Sequence, residues 1–278
     1  VPRSRGKERG QNPLMRYFDS HAHYYDERFQ SECEEGVDAL LTRLFSDSVS
    51  GIVNVGTSPE TCRAAVRQAG SYPAMYTALG IHPTDGQALA DPDAALVEIE
   101  KMILSPKSKC VAVGEIGLDY HYPDTDKEKQ EYLFDRQLAM AGRLGLPVVI
   151  HDREAHADVA DAILRHGETH GVLHSFSGSP EMAKEFVRHG YYISFSGTLT
   201  FQNARRTVES AAAVPPDRIL IETDCPYLAP HPLRGTLNHS GNLAYICARL
   251  AEILGISPEE AARLTEENAK RFFSLSSV

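Results

Sequence analysis

Several features that mark whole classes of protein are missing from this chain. Its five cysteines (Cys33, Cys62, Cys110, Cys225 and Cys247) are odd in number, scattered and nowhere spaced C-x-x-C. That excludes a disulfide framework or a zinc knuckle, suits a reducing, cytoplasmic setting, and makes most of these thiols small packed hydrophobes. No apolar run approaches the roughly 18 residues a membrane span needs, so no membrane partner is expected. Positive charge is scarce: 28 Lys and Arg stand against 38 Asp and Glu. A basic face for non-specific duplex binding is therefore excluded, and any nucleic-acid contact must come from local charge or bound cations. Linkers, low-complexity tracts and composition breaks are also lacking, which leaves a single domain.

Residues 1–14 read as a tag-like, disordered segment outside the fold, with Met15 as a native start and the domain running over 15–278. Arg3, Arg5, Lys7 and Arg9 against Glu8 give this segment a net +3, so the remainder carries −13 of the whole-chain −10. The rest has ordinary globular composition, and its 278 residues suffice for two small domains or one large barrel.

Periodicity then divides the chain into alternating units. Strands are expected at 18–23, 51–56, 75–81, 110–115, 147–151, 171–174, 191–196 and 218–224. Helices are expected at 32–48, 59–69, 94–104, 126–144, 156–165, 180–189, 204–212, 243–254 and 258–273. Near-continuous apolar strands alternating with helices imply a parallel sheet covered by helices. Eight strand-then-helix units in about 260 residues match an α/β (β/α)₈ TIM barrel. A doubly wound open sheet is the alternative, but no G-x-G-x-x-G follows the first strand.

The opening stretch Phe18-Asp19-Ser20-His21-Ala22-His23 puts two imidazoles on one side of a strand, because side chains repeat every two residues. Taken alone, such a pair is weak evidence, and a single histidine at a strand end is usually a satisfied structural group. Further donors fall at the ends of other strands: Glu115 on the fourth, His151 on the fifth, His174 on the sixth and Asp224 on the eighth. In a barrel those carboxyl ends share one face, where active sites form. Four imidazoles and two carboxylates exceed the needs of one tetrahedral ion. They suit two divalent ions about 3.5–4 Å apart, bridged by a carboxylate, with Glu115 as the bridge. Nitrogen and oxygen donors accept Mg, Mn, Zn or Fe, so the metal's identity stays open.

In order, the motifs F-D-S-H-A-H, G-I-H-P, V-G-E-I-G-L-D-Y, I-H-D-R-E, H-S-F-S-G and E-T-D-C-P-Y-L-A-P resemble those of the TatD-like metal-dependent deoxyribonucleases, over essentially Met15 to Phe273. The resemblance implies an amidohydrolase-like barrel cleaving phosphodiester bonds of DNA, as an exonuclease, with Mg²⁺ or another divalent ion. It also implies that His21, His23 and Asp224 hold one ion, His151 and His174 the other, and that Glu115 is shared. The chain departs from the family where relatives often continue H-P-H, having His82-Pro83-Thr84 instead. It departs again after the eighth strand, where Arg234 to Ser240 carries fewer positive charges than the relatives' loop.

Asp224 and Glu115 are the catalytic candidates, Asp224 to orient a water and take its proton. Candidate substrate contacts are His82 and Arg153 on phosphate, with Tyr120, Phe176 and Tyr227 stacking on bases. Each has a bland counterpart: capping of the barrel layer for His82, a surface ion pair for Arg153, barrel-mouth packing for the aromatics. Asp119 is expected to steady a ligand histidine, and Cys225 to be a packed thiol rather than a soft ligand. The partner is DNA, with RNA open; the oligomeric state is also open, a monomer being compatible. A small-molecule amidohydrolase or phosphotriesterase-type enzyme is the alternative, disfavoured because the fifth strand carries no lysine to bridge two metals. A non-catalytic scaffold is disfavoured because all six ligand positions are filled.

Overall fold

A computed structural model describes residues 15–275; the tag-like segment at 1–14 lies outside the described residues. Eight strands form one parallel sheet in chain order: β1 (Tyr17–Ala22), β2 (Val49–Gly56), β3 (Met75–Leu79), β4 (Cys110–Asp119), β5 (Val148–Arg153), β6 (Gly171–Leu173), β7 (Tyr192–Phe195) and β8 (Ile219–Ile221). Around them lie α1 (Glu27–Glu32), α2 (Val37–Asp47), α3 (Pro59–Ala69), α4 (Pro83–Gln87), α5 (Pro92–Ile103), α6 (Lys127–Leu144), α7 (His156–Arg165), α8 (Pro180–Arg188), α9 (Arg205–Ala213), α10 (Leu243–Leu254) and α11 (Pro258–Phe272). Sequential parallel order and return of β8 to β1 make this a nearly closed TIM barrel, and the doubly wound alternative falls.

The barrel closes just beyond the strands proper. Ala22 pairs with Cys225 in a parallel bridge. Asp224 N donates to His21 O (2.9 Å) and His23 N to Cys225 O (2.8 Å). The seam is thus stitched by the backbone of three residues singled out as metal ligands, so ring closure and placement of those side chains are one event.

Inside the barrel sit Phe18, Val53, Val55, Ala78, Ala112, Val149, Val172, Tyr192 and Leu220. Phe272 and Phe273, at the end of α11, plug the floor: Phe273 stacks on Phe18 (6.1 Å) and Phe272 lies against Tyr192 (5.0 Å). A second apolar layer joins strands to helices, Ile150, Leu138, Ile193 and Leu250 among them. The helices begin where the sequence supplies oxygen caps: Ser58, Asp91, Asp126, Ser179 and Ser257 each accept a backbone N–H of the first turn, each worth about 1 kcal/mol.

Three differences from the periodicity bear on the site. The helix expected over 32–48 begins only at Val37, after a turn whose Gly36 has φ +78°; α1 and the short α4, which periodicity did not signal, carry residues to the barrel mouth. β4 runs on to Asp119, so Glu115 sits within the strand. That extension requires Gly117 (φ +142°), where an added Cβ would run into the His151 carbonyl oxygen. β8 ends at Ile221, and Asp224 lies beyond it in a left-handed turn (φ +55°), a conformation Asp tolerates better than most residues.

Candidate metal centre

Six side chains carried on five strands or just after them converge at the C-terminal mouth: His21, His23, Glu115, His151, His174 and Asp224. Glu115 lies between two groups. Its Oε2 faces His21 Nε2 (3.3 Å) and His23 Nε2 (3.8 Å), and Asp224 Oδ1 completes that side at 3.3 Å from His23 Nε2. Its Oε1 faces His174 Nε2 (2.7 Å) and His151 Nδ1 (2.9 Å).

The far nitrogen of three of these rings is fixed by an acceptor. His23 Nδ1 donates to Val55 O (2.8 Å), His151 Nε2 to Asp119 Oδ2 (3.0 Å) and His174 Nδ1 to Glu222 Oε1 (3.2 Å). With the proton held on the far side, each neutral ring turns a lone pair inward. Lone pairs then face lone pairs and carboxylates: His21 Nε2 and His23 Nε2 are 3.1 Å apart, His151 Nδ1 and His174 Nε2 3.3 Å. Such an arrangement is unfavourable unless positive charge lies among the donors. Around an ion with bonds of about 2.0–2.2 Å, neighbouring ligand atoms fall roughly 3 Å apart, as these do. The donor set fits divalent cations.

The titration directions carry the same message. Burial opposes the charged form of His174, but Glu115 and Glu222 outweigh it and raise its pKa well above the ordinary value. Burial likewise works against Glu115, yet His174, His82 and His21 with the His151 hydrogen bond hold it well below the usual carboxylate range. Asp224 is lowered despite burial, chiefly by His23 and His21. His21, fully buried and beside His174, is lowered.

The centre opens into a cleft of ≈ 330 Å³ whose walls include Tyr25, Thr57, His82, Asp85 and Tyr227. His82 Nδ1 accepts from Thr84 N (3.2 Å), which leaves the ring proton on Nε2, 3.5 Å from Glu115 Oε1. Burial and the neighbouring His151 push its pKa down to about 3, so His82 is a neutral N–H donor aimed into the cleft.

The other expected substrate contacts fare differently. Phe176 is not open to a base: it is 3% exposed, with its edge on Phe186 and the Gly178 backbone across its ring. Tyr120 turns away from the histidines towards α6, its hydroxyl donating to Glu131 (3.1 Å) and Lys127 Nζ lying 3.9 Å over its ring. Arg153 is exposed at the rim beside Tyr122, outside the cleft lining, and forms no ion pair among the described residues. Tyr227 does line the cleft, 44% exposed. Cys225 is a fully buried thiol whose pKa burial pushes far up, unsuited to ligation.

Sequence reasoning missed Glu222 and Asp19. Glu222 accepts from His174 and from Ser175 N (2.8 Å). Asp19 accepts from Thr223 N, Thr223 Oγ1 and Ser240 Oγ, tying β1 to the loops after β8. Each is a carboxylate directly after an apolar run, Asp19 after Tyr17-Phe18 and Glu222 after Ile219-Leu220-Ile221, and that was the available signal.

The model of the family described as TatD related DNase matches residues 18–274. An uncharacterized metal-dependent hydrolase of Bacillus subtilis, YabD, is 38% identical over 93% of this chain and 99% of its own length. The uncharacterized metal-dependent hydrolase TatD of Mycobacterium tuberculosis is 37% identical over 86% of this chain and 91% of its own. The crystal structure of YjjV, a TatD homologue from Escherichia coli, superposes with a TM-score of 0.86 at 32% identity, covering 95% of this chain and all of that one.

Proposed function

This chain belongs to the TatD related DNase family and is a metal-dependent hydrolase, and from that premise we propose that it cleaves phosphodiester bonds of DNA, as an exonuclease on single strands. The observation that carries the reading is the division of Glu115, one oxygen towards His21, His23 and Asp224 and the other towards His151 and His174. In this reading those residues hold two divalent cations, with Glu115 between them. When bound, the ions supply positive charge to developing phosphoryl oxyanions, acidify water and reverse the sign of an acidic mouth.

The protein's own groups do the rest. Asp224, whose side chain is 16% exposed against 5% for Glu115, is the carboxylate that orients the attacking water and accepts its proton. His82 donates Nε2–H to a non-bridging phosphate oxygen, the tautomer being set by Nδ1 accepting from Thr84 N. Arg153 at the rim meets the strand outside the cleft. Five free thiols support a reducing, cytoplasmic setting.

The test is digestion of end-labelled single-stranded DNA, circular single-stranded DNA and RNA by metal-loaded protein, with and without chelator. Stepwise shortening of linear DNA, sparing circles and abolished by chelator, is expected; inertness towards every polynucleotide would overturn the reading. The modest cleft volume favours one alternative, a small-molecule phosphotriesterase or amidohydrolase type, and turnover of small esters alone would establish it.

A further inference from the structure

Beside the metal cleft lies a second one, of ≈ 310 Å³, walled by Arg28, Phe201, Tyr227, Leu228 and Arg234 among others. The two share Tyr227, whose ring centroid is 6.5 Å from that of His23. Tyr227 is held upright by its hydroxyl donating to Asp26 Oδ2 (2.6 Å). The floor is firm: Gly197 packs against the Leu228 carbonyl so closely that a Cβ would collide with it, and His231 N donates to Thr200 Oγ1 (2.8 Å).

Arg234 is the informative residue. Its guanidinium lies 3.7 Å over the Phe201 ring, a contact that covers its flat face and leaves the N–H edge free. On a chain with ten more acids than bases, it makes no ion pair among the described residues. Arg28, by contrast, is engaged by Glu32. Phe201 thus seats the guanidinium, and the open aromatic surface of the cleft is Tyr227, 44% exposed with Arg28 5.8 Å from its ring centroid. A guanidinium without an ion-pair partner among the described residues, beside that ring, suits one ligand chemistry: a phosphodiester next to a flat heterocycle.

We infer that this second cleft binds the nucleotide adjoining the one hydrolysed, its base against Tyr227 and its phosphodiester on Arg234, which Phe201 holds in place. The inference rests on the nuclease reading and deepens it: the substrate is an unpaired strand of at least two nucleotides, because a base can enter only when unstacked from a duplex.

The test compares thymidine 5′-(p-nitrophenyl phosphate), which has no second nucleotide, with a single-stranded oligothymidylate, for wild type, Arg234→Gln and Phe201→Ala. Both variants are expected to turn over the small ester within twofold of wild type and to raise KM for the oligonucleotide about tenfold. The Arg234→Gln salt dependence, log(kcat/KM) against log[salt], should flatten by about 0.7, one single-strand phosphate contact. Oligonucleotide cleavage unchanged in Arg234→Gln, or both substrates impaired alike, would overturn the second cleft while leaving the nuclease standing. A wild type that hydrolyses the small ester but no oligonucleotide would remove both. Since Arg234 is exposed, its substitution is not expected to alter folding, and circular dichroism checks this.

Discussion

Glu222 accepts a hydrogen bond from His174 Nδ1 at 3.2 Å and from the Ser175 backbone at 2.8 Å, while itself fully buried. It fixes both the tautomer of the ring and the left-handed turn (Ser175 φ +42°) on which that ring stands. Glu222→Gln keeps the volume and loses the charge. Metal titration should show affinity at the His151–His174 side reduced about 10- to 100-fold, with activity recovering at saturating metal. Unchanged affinity would reduce Glu222 to a packing residue.

Glu115 has no understudy, since each of its oxygens serves a different donor group. On the proposed two-cation reading, wild type should carry two ions per chain by elemental analysis and Glu115→Ala one or none, with activity down by roughly 10²–10³-fold or more. Retention of two ions would show that the sets are independent.

His82→Ala should lower kcat/KM for DNA by about 10- to 100-fold with metal content unchanged, the result of losing one donor to the phosphate. With the ring neutral down to a pKa of about 3, the His82-dependent part of the rate should be flat between about pH 5 and 8. A loss of metal in this variant would instead make His82 a ligand.

Metal removal should change how stability responds to pH. In the metal-free protein His23, His151 and His174 have raised pKa values, each because carboxylate partners outweigh burial. The stability they contribute is present below the unfolded value near 6.5 and is lost as pH rises through their folded values. His21 and His82 are lowered, so below about 6.5 the unfolded chain binds protons the native one refuses, and stability falls there too. The metal-free protein should therefore be most stable near pH 6.5. Metal binding needs deprotonated ligands, so the gap in Tm between loaded and stripped protein should widen from pH 6 to 8.5 in thermal melts. A constant gap would mean that these histidines do not hold the ion.

Much of this was legible in one dimension. Ile150-His151 and Leu173-His174 show the pattern plainly: an apolar strand followed at once by a donor, repeated in step around a barrel whose size the count of units supplied. Phe176 and Tyr227 looked alike in sequence, each an aromatic just after a donor. Packing separated them, Phe176 turning under Gly178 and Tyr227 standing over the cleft. Glu222 and Asp224 also look alike in sequence, two carboxylates after one apolar strand; the fold turns Glu222 under the His174 ring and Asp224 towards the cleft.

Residue order alone determined the kinds of donor, their assignment to the first, fourth, fifth, sixth and eighth strand units and the helical layer that shields them, because alternation and capping act over a few residues. Only the folded chain decided where those donors point. Closure of β1 on the turn after β8 sets His21, His23 and Asp224 together through their own backbone hydrogen bonds. The close β4–β5 approach at Gly117 sets Glu115 between two imidazole pairs. The seam joins segments some 200 residues apart and the β4–β5 approach segments about 35 apart, contacts that no local pattern encodes.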